Sequence, residues 1–262
     1  MAGLTGKNIS NAYKSILRVD DDVNGIDSTL ETITDGSGNA SPIRMSDDVV
    51  NIVPNNDDTT GAFKVSNKSA SAILTVDSTN NLVKVGASQV NATTQYAHFH
   101  INGTWWASAS ANNHYPMAFN SSNLAGLPTF GTSTEPATTF TTAEGSNTRA
   151  ADLVPMLWYL PEAISIDSVT SIEGADTATG DTTRMHLYSY TFTSGSTRAL
   201  SSGTLIASNS DVTNAGSEQA YRSSWTVTNP DVAQAKVILA FMRADSVNSD
   251  YSASVYIKYH IQ

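Results

Sequence analysis

Cysteine is absent from the 262 residues, which excludes disulfides, thiolate metal sites and a cysteine nucleophile. Basic residues are scarce: 14 Lys and Arg stand against 24 Asp and Glu, a net charge of −10. The deficit is spread, with eleven acids and seven bases in residues 1–86 and thirteen and seven in the rest. A nucleic-acid backbone needs clustered Lys and Arg, so a nucleic-acid partner is not expected. No apolar run is long enough to cross a bilayer as a helix, and membrane insertion is not expected either. Met1 to Arg18 lacks the apolar core and cleavage site of a secretory signal, and synthesis in a reducing cytoplasm is the expectation. Catalytic vocabulary is missing too: there is no G-x-S-x-G, H-E-x-x-H or Walker pattern. The expectation is a non-enzyme with no catalytic residues and no cofactor.

Charge of either sign is missing altogether between Lys84 and Glu135. At the chain-wide charged fraction of 15%, roughly seven charges would be expected in that stretch. The segment is polar nonetheless, and it holds Trp105-Trp106 and three of the five histidines, His98, His100 and His114. Neutral, wet and aromatic is the composition of a surface that meets protein. Residues 87–134 therefore read as an uncharged linker and subunit-contact segment between two β-rich regions.

What is abundant is Ser, Thr, Asn and Gly, which suit strands and turns and fill helices poorly. The best helical stripe is Ile9, Ala12, Tyr13, Ile16 and Leu17, predicting one helix over Asn8–Val19. Short strands follow at Ser28–Thr34, Ser41–Met45, Val49–Val53 and Ala62–Val65. Ile73-Leu74-Thr75-Val76 and Leu82-Val83-Lys84-Val85 flank Asp77-Ser78-Thr79-Asn80-Asn81 and predict a hairpin. Such pieces are too short to hold a core, so residues 1–86 are expected to rest on something else. Tyr96–Ile101 alternates. Beyond Glu135, strands are predicted at Leu153–Leu160, Ala163–Ile172, Arg184–Phe192, Thr204–Ala207, Gln219–Val227, Lys236–Arg243 and Ser252–His260. With turn-rich loops and no helices between them, residues 135–262 read as a β-sandwich of jelly-roll type. The fold class is mainly β.

Two patterns hold metal-ligand residue types. Asp20, Asp22, Asn24, Gly25 and Glu31 fit D-x-[DN]-x-[DN]-G-x5-E, the oxygen spacing of a calcium loop. Asp27 stands at the normally apolar eighth position, and Asp35-Gly36-Ser37-Gly38 leaves no room for an exit helix. These carboxylates read as a solvated acidic turn. His98 and His100 would share one face of a strand, and three such strands about a threefold axis would offer six nitrogens to a transition metal. Half-buried histidines in a subunit contact are the simpler reading, and no metal is assigned. Trp105-Trp106 reads as interface packing rather than a sugar platform. Glu162, Asp167, Glu173, Asp176, Asp181, Asp211 and Glu218 read as solvated turn carboxylates, with no glycosidase pair singled out.

The block Gly6-Lys7-Asn8-Ile9, Tyr13-Lys14-Ser15-Ile16-Leu17-Arg18-Val19, Asp35-Gly36-Ser37-Gly38-Asn39-Ala40-Ser41-Pro42-Ile43 and Met45-Ser46 resembles the N-terminal module of tailed-bacteriophage virion proteins. Fibre, spike and head-decoration proteins of marine podoviruses and cyanophages carry such segments. Ala72 to Gly86 resembles a hairpin repeat near fibre necks, and Asn248 to His260 the last strand of the same group's C-terminal domain. The resemblance implies a surface-exposed virion protein that forms a homotrimer. Residues 1–86 would be the virion-anchoring region, with residues 1–50 meeting other virion proteins of the tail, portal-adaptor or capsid. The sandwich would project outward toward a host cell-surface glycan or protein. A capsid-decoration trimer is the alternative, and a carbohydrate-binding or hydrolytic module a third.

Overall fold

Strand pairing is antiparallel throughout the computed structural model, which describes residues 16–21, 23–101, 111–120, 128–140, 150–176, 179–216, 219–246 and 250–262. The chain divides into two compact units, Met1–Ala92 and Thr93–Gln262.

The first unit holds two four-stranded meanders. β1 (Arg18–Val19), β2 (Glu31–Thr34), β3 (Ala40–Met45) and β4 (Val50–Ile52) pair in chain order, as do β5 (Phe63–Ser66), β6 (Ala72–Asp77), β7 (Leu82–Val85) and β8 (Val90–Asn91). The predicted helix over Asn8–Val19 is corrected at its end. Arg18 and Val19 pair with Thr34 and Ile33 as a strand, while Asn8–Ser15 lie outside the described residues. The open edge of β2 supplies a hydrogen-bonding partner that local apolar spacing does not register. The predicted hairpin is β6–β7. Asp77 builds its turn by accepting the Asn80 amide (3.0 Å) and the Lys84 ammonium (2.7 Å), and Asn81 takes the left-handed conformation with φ 55°.

The second unit is made of β9 (Thr94–Ile101), β10 (Tyr115–Pro116), β11 (Ala118–Phe119), β12 (Trp158–Tyr159), β13 (Ile164–Asp176), β14 (Thr182–Phe192), β15 (Leu200–Ser208), β16 (Val212–Thr213), β17 (Gln219–Ser224), β18 (Thr226–Val227), β19 (Asp231–Val232), β20 (Lys236–Ala244) and β21 (Asp250–Ile261). One sheet runs β11-β9-β21-β13-β17, with β19 also on β13. The other runs β10-β20-β14-β15-β18, with β12 on β20 and β16 on β14. The sheets face each other across one core that takes Phe99, Val255 and Ile257 from the first and Met185, Leu187 and Met242 from the second. The uncharged composition has a physical cause here. β9 and β10 bury Phe99, Ile101 and Tyr115 where an unpaired charge would be costly. Phe99 is thus sandwich core, with His98 and His100 on the opposite face of its strand.

The two sheets are buried differently, and their sequences differ to match. β20 reads Val237-Ile238-Leu239-Ala240-Phe241-Met242 without alternation because both its faces are covered. Its outer face lies under a second cluster, in which residues 128–140 lay Phe130 and Phe140 against Tyr190 and Phe241. A short helix, α1 (Ala150–Leu153), and a 3-10 turn (Val154–Met156) add Leu153 and Met156. This corrects the strand predicted over Leu153–Leu160, which begins only at Trp158. Pro155 opens the 3-10 turn with no N–H to give to a ladder. β21 alternates instead: Val255 and Ile257 point inward, and Tyr256 and Lys258 face solvent. The six-stranded sheet therefore keeps one wet face.

Candidate functional site

The acidic turn near Asp20 forms no cage. Asp20 is exposed beside Arg18 (3.3 Å), and Asp21 accepts the backbone amides of Val23 and Asn24. These bonds hold the Asp21 carboxyl below its usual range. Glu31 opens β2, Gly25 takes a φ of +70°, and Asp22 lies outside the described residues. Among the described residues no group of three or more His, Asp or Glu is placed to hold a metal ion.

His98 and His100 stand side by side on the wet face of the six-stranded sheet, ring centroids 6.3 Å apart. Burial, then the neighbouring His98, hold His100 below the ordinary imidazole value. Register places Tyr256 opposite His98, Ser254 opposite His100 and Lys258 opposite Tyr96. Thr170 and Ile172 come next across the sheet, and Arg222 lies opposite Ile172 on β17. Tyr96 is 74% exposed and Tyr256 49%. A shallow hollow of about 360 Å³ opens beside Tyr256, lined also by His100, Ile172, Ser252 and Ser254. Trp105 and Trp106 lie outside the described residues.

A second histidine pair escaped sequence reading. His114 and His186, 72 residues apart, meet edge to face with centroids 5.1 Å apart, and both are fully buried. His114 Nδ1 donates to the Gly131 carbonyl (3.1 Å). Its Nε2 and both nitrogens of His186 have no hydrogen-bond partner among the described residues. Burial chiefly pushes the two imidazoles down, to about 4 for His114 and about 3 for His186. Arg184 and Arg243, opposite each other in register on the same sheet, push the same way, and Glu135 opposes them at His114. Tyr188 donates to the Glu135 carboxylate at 2.5 Å, and burial together with that bond raises its phenol above the ordinary value. Arg184 is paired with Asp211 at 3.5 Å. No spacing rule would have joined His114 to His186, because only the β10–β20–β14 order brings them together.

The acids of the second half go to different places. Asp167 meets His260 Nδ1 (2.8 Å), Asp181 accepts the Tyr251 hydroxyl (3.0 Å), and Glu162 is exposed. Glu173 corrects the expectation of a solvated turn carboxylate. It is 2% exposed, accepts the Thr183 hydroxyl, and burial raises its carboxyl above the usual range. β13 is long enough to carry it between the sheets. Glu218 lies outside the described residues, and the Asp176 side chain is not described.

The first unit is notable for what it leaves uncovered. Among described residues 16–92 the buried side chains are Thr34, Ser46, Thr75 and Asp77, and no hydrophobic one joins them. Register puts Phe63, Val76 and Val83 in one row and Val65, Leu74, Val85 and Val90 in the next, all on one face of the β5–β8 sheet. Phe63, Val65, Val83, Val85 and Val90 are each 38–42% exposed. The opposite face carries Lys64, Thr75, Lys84 and Asn91. In the β1–β4 sheet Ile43, Met45, Val50 and Ile52 likewise share a face, with Ile43 and Val50 exposed.

No family model matches the chain, and no curated protein does. Among solved structures, the chain is similar to an aminopeptidase from the marine sediment archaeon Thaumarchaeota archaeon at a TM-score of 0.33 and 8% identity, covering 72% of this chain. The match spans 40% of the aminopeptidase chain, and at that TM-score it carries no argument about fold or activity.

Proposed function

We propose that this chain is a structural subunit of a tailed-phage virion: a homotrimeric fibre or spike anchored through its N-terminal unit, with an outward jelly-roll-like domain that touches the host. The observation that carries the assembly part is the pair of bare apolar sheet faces in residues 16–92. A one-sided antiparallel sheet is stable when its apolar face is covered. Each half-exposed valine gains about 1 kcal/mol on being covered. Copies of the same chain supply such a cover by symmetry, each sheet turning its valines toward the shared axis and Lys64 and Lys84 to solvent. The virion part rests on the sequence resemblance at Gly6–Val19 and Asp35–Ser46.

Cross-linking the purified chain tests the self-contact, with a ladder ending at three expected and a single monomer band overturning it. Deleting residues 1–50 tests the anchor. The shortened chain is expected to fold in its C-terminal unit and to be lost from particles, and its recovery on particles would overturn the anchoring role.

A further inference from the structure

We propose that Asn24 is a self-modification site, where the Gly25 backbone nitrogen displaces the side-chain nitrogen as ammonia through a succinimide and leaves aspartate or isoaspartate at position 24. The pair lies in the turn before β2, and its chemistry is independent of the assembly and virion reading.

Glycine lacks a Cβ, so no side chain shields the nitrogen that must attack. Among the described residues Asn24-Gly25 is the one Asn-Gly pair, and its surroundings leave it open. Asn24 is exposed, and no atom stands within 4 Å of where a Gly25 Cβ would be. Asp21 Oδ1 takes the amides of Val23 (2.7 Å) and Asn24 (3.0 Å), while the Gly25 amide donates to none of the described residues. The Asn24 side chain is held from one end only: Nδ2 donates to Asp21 Oδ2 at 3.2 Å. Its Oδ1 faces water, which can solvate the charge that develops there on attack. Hydroxide removes the Gly25 amide proton, and the freed electron pair bonds to Asn24 Cγ. The Cγ–Nδ2 bond then breaks, and Nδ2 takes a proton from water and leaves as ammonia. Water opens the ring at Cγ to give aspartate, or at the backbone carbonyl carbon to give isoaspartate. One water is consumed, one ammonia is released and nothing is oxidised.

Neighbouring candidates are closed. Asp35-Gly36 could form the same ring, but Asp35 accepts the Ser37 and Asn39 amides and the Asn39 side chain. Those bonds, Asn39 foremost, hold its carboxyl below the usual range, and an ionised carboxylate is a poor electrophile. Asn39, Asn67 and Asn80 precede Ala40, Lys68 and Asn81, each of which carries a Cβ beside its nitrogen. At Asn24 the product changes the turn. A donor to Asp21 becomes a second carboxylate facing it, and isoaspartate adds a methylene to the main chain ahead of β2.

Peptide mapping by mass spectrometry tests the site on the full chain, held at mildly alkaline pH in water enriched in heavy oxygen, beside a sample unfolded in guanidinium. The tryptic peptide Val19–Arg44 is expected to take up one heavy oxygen at Asn24, part of it as isoaspartate, ahead of Asn39 in the same peptide. The folded chain is expected to convert within about tenfold of the unfolded rate, because the turn gives the pair no cover. Asn24→Gln, which would have to close a larger ring, is expected to lose the uptake. Gly25→Asn keeps a residue that tolerates the left-handed backbone seen at Gly25 (φ +70°) and is expected to slow conversion at least about tenfold. Protection of the folded chain by more than about tenfold would overturn the site. So would uptake as aspartate alone, uptake at Asn39 as fast as at Asn24, or a Gly25→Asn chain that converts like the parent.

Discussion

His114 and His186 lie edge to face, ring centroids 5.1 Å apart, with neither reached by solvent. Burial holds them at about 4 and about 3, so both are neutral in the folded protein well below the ordinary imidazole value of 6.5. The unfolded chain takes up these protons first as pH falls. The contribution of the pair to stability is therefore intact above pH 6.5 and is lost through the window from 6.5 toward 4 and 3. Each imidazole steepens the fall by about 1.4 kcal/mol per pH unit within that window. Thermal melts of the C-terminal unit are expected to drop across it, and His186→Phe is expected to flatten the drop. A variant as steep as the parent would contradict this.

Gly203 is a close-approach position. A Cβ there would stand 2.6 Å from the ring of Tyr190 and 2.8 Å from Thr138 Cα, inside the segment that covers the seven-stranded sheet. Tyr190 cannot swing away without giving up its hydrogen bond to the Ala137 carbonyl (2.8 Å). Gly203→Ala is expected to cost about 1–3 kcal/mol in urea unfolding. Stability equal to the parent would show that the segment yields freely.

Asp77 organises the β6–β7 turn through Asn80 and Lys84, and its bond to Lys84, then that to Asn80, holds its carboxyl down at about 2. Because the folded value is depressed, its support is present above pH 3.8 and lost as pH falls toward 2. Asp77→Ala is expected to speed hydrogen exchange at the Asn80 amide at neutral pH, leaving the C-terminal unit unchanged. Unaltered exchange would mean that the turn holds without the carboxylate.

Val83 lies on the bare face of the β5–β8 sheet, 42% exposed. Val83→Asp leaves the fold of one chain with little to lose, since that side chain meets water already. Covered by another copy, the same aspartate would be a desolvated charge costing several kcal/mol per copy. Sedimentation is expected to show smaller assemblies for Val83→Asp, with an unchanged circular dichroism spectrum. An unchanged sedimentation coefficient would place the contact elsewhere.

The sequence made most of the β architecture legible because strands announce themselves by local pattern. Val255, Ile257 and Tyr256 alternate as a half-wet strand must, and Asp77 to Asn81 spell a turn between two apolar runs. Short strands such as β10 and β16 escaped, since two residues carry no period and exist only where a neighbouring edge captures them. The stripe ending at Val19 read as helix for the same reason, its strand partner lying fourteen residues on at Ile33. His98 and His100 were visible as a pair because they share a strand face. His114–His186 and the burial of Glu173 depend on sheet order, which no local window contains. The uncharged stretch reads as a subunit-contact linker, whereas β9 and β10 within it place Phe99, Ile101 and Tyr115 in the sandwich core, a burial that composition alone does not tell from a contact between copies.

The solution mass of the full chain, by light scattering at neutral pH, tests the central claim that copies of this chain cover the apolar faces of residues 16–92. The account predicts three times the chain mass of 27.8 kDa. A particle of 27.8 kDa at all concentrations would contradict it.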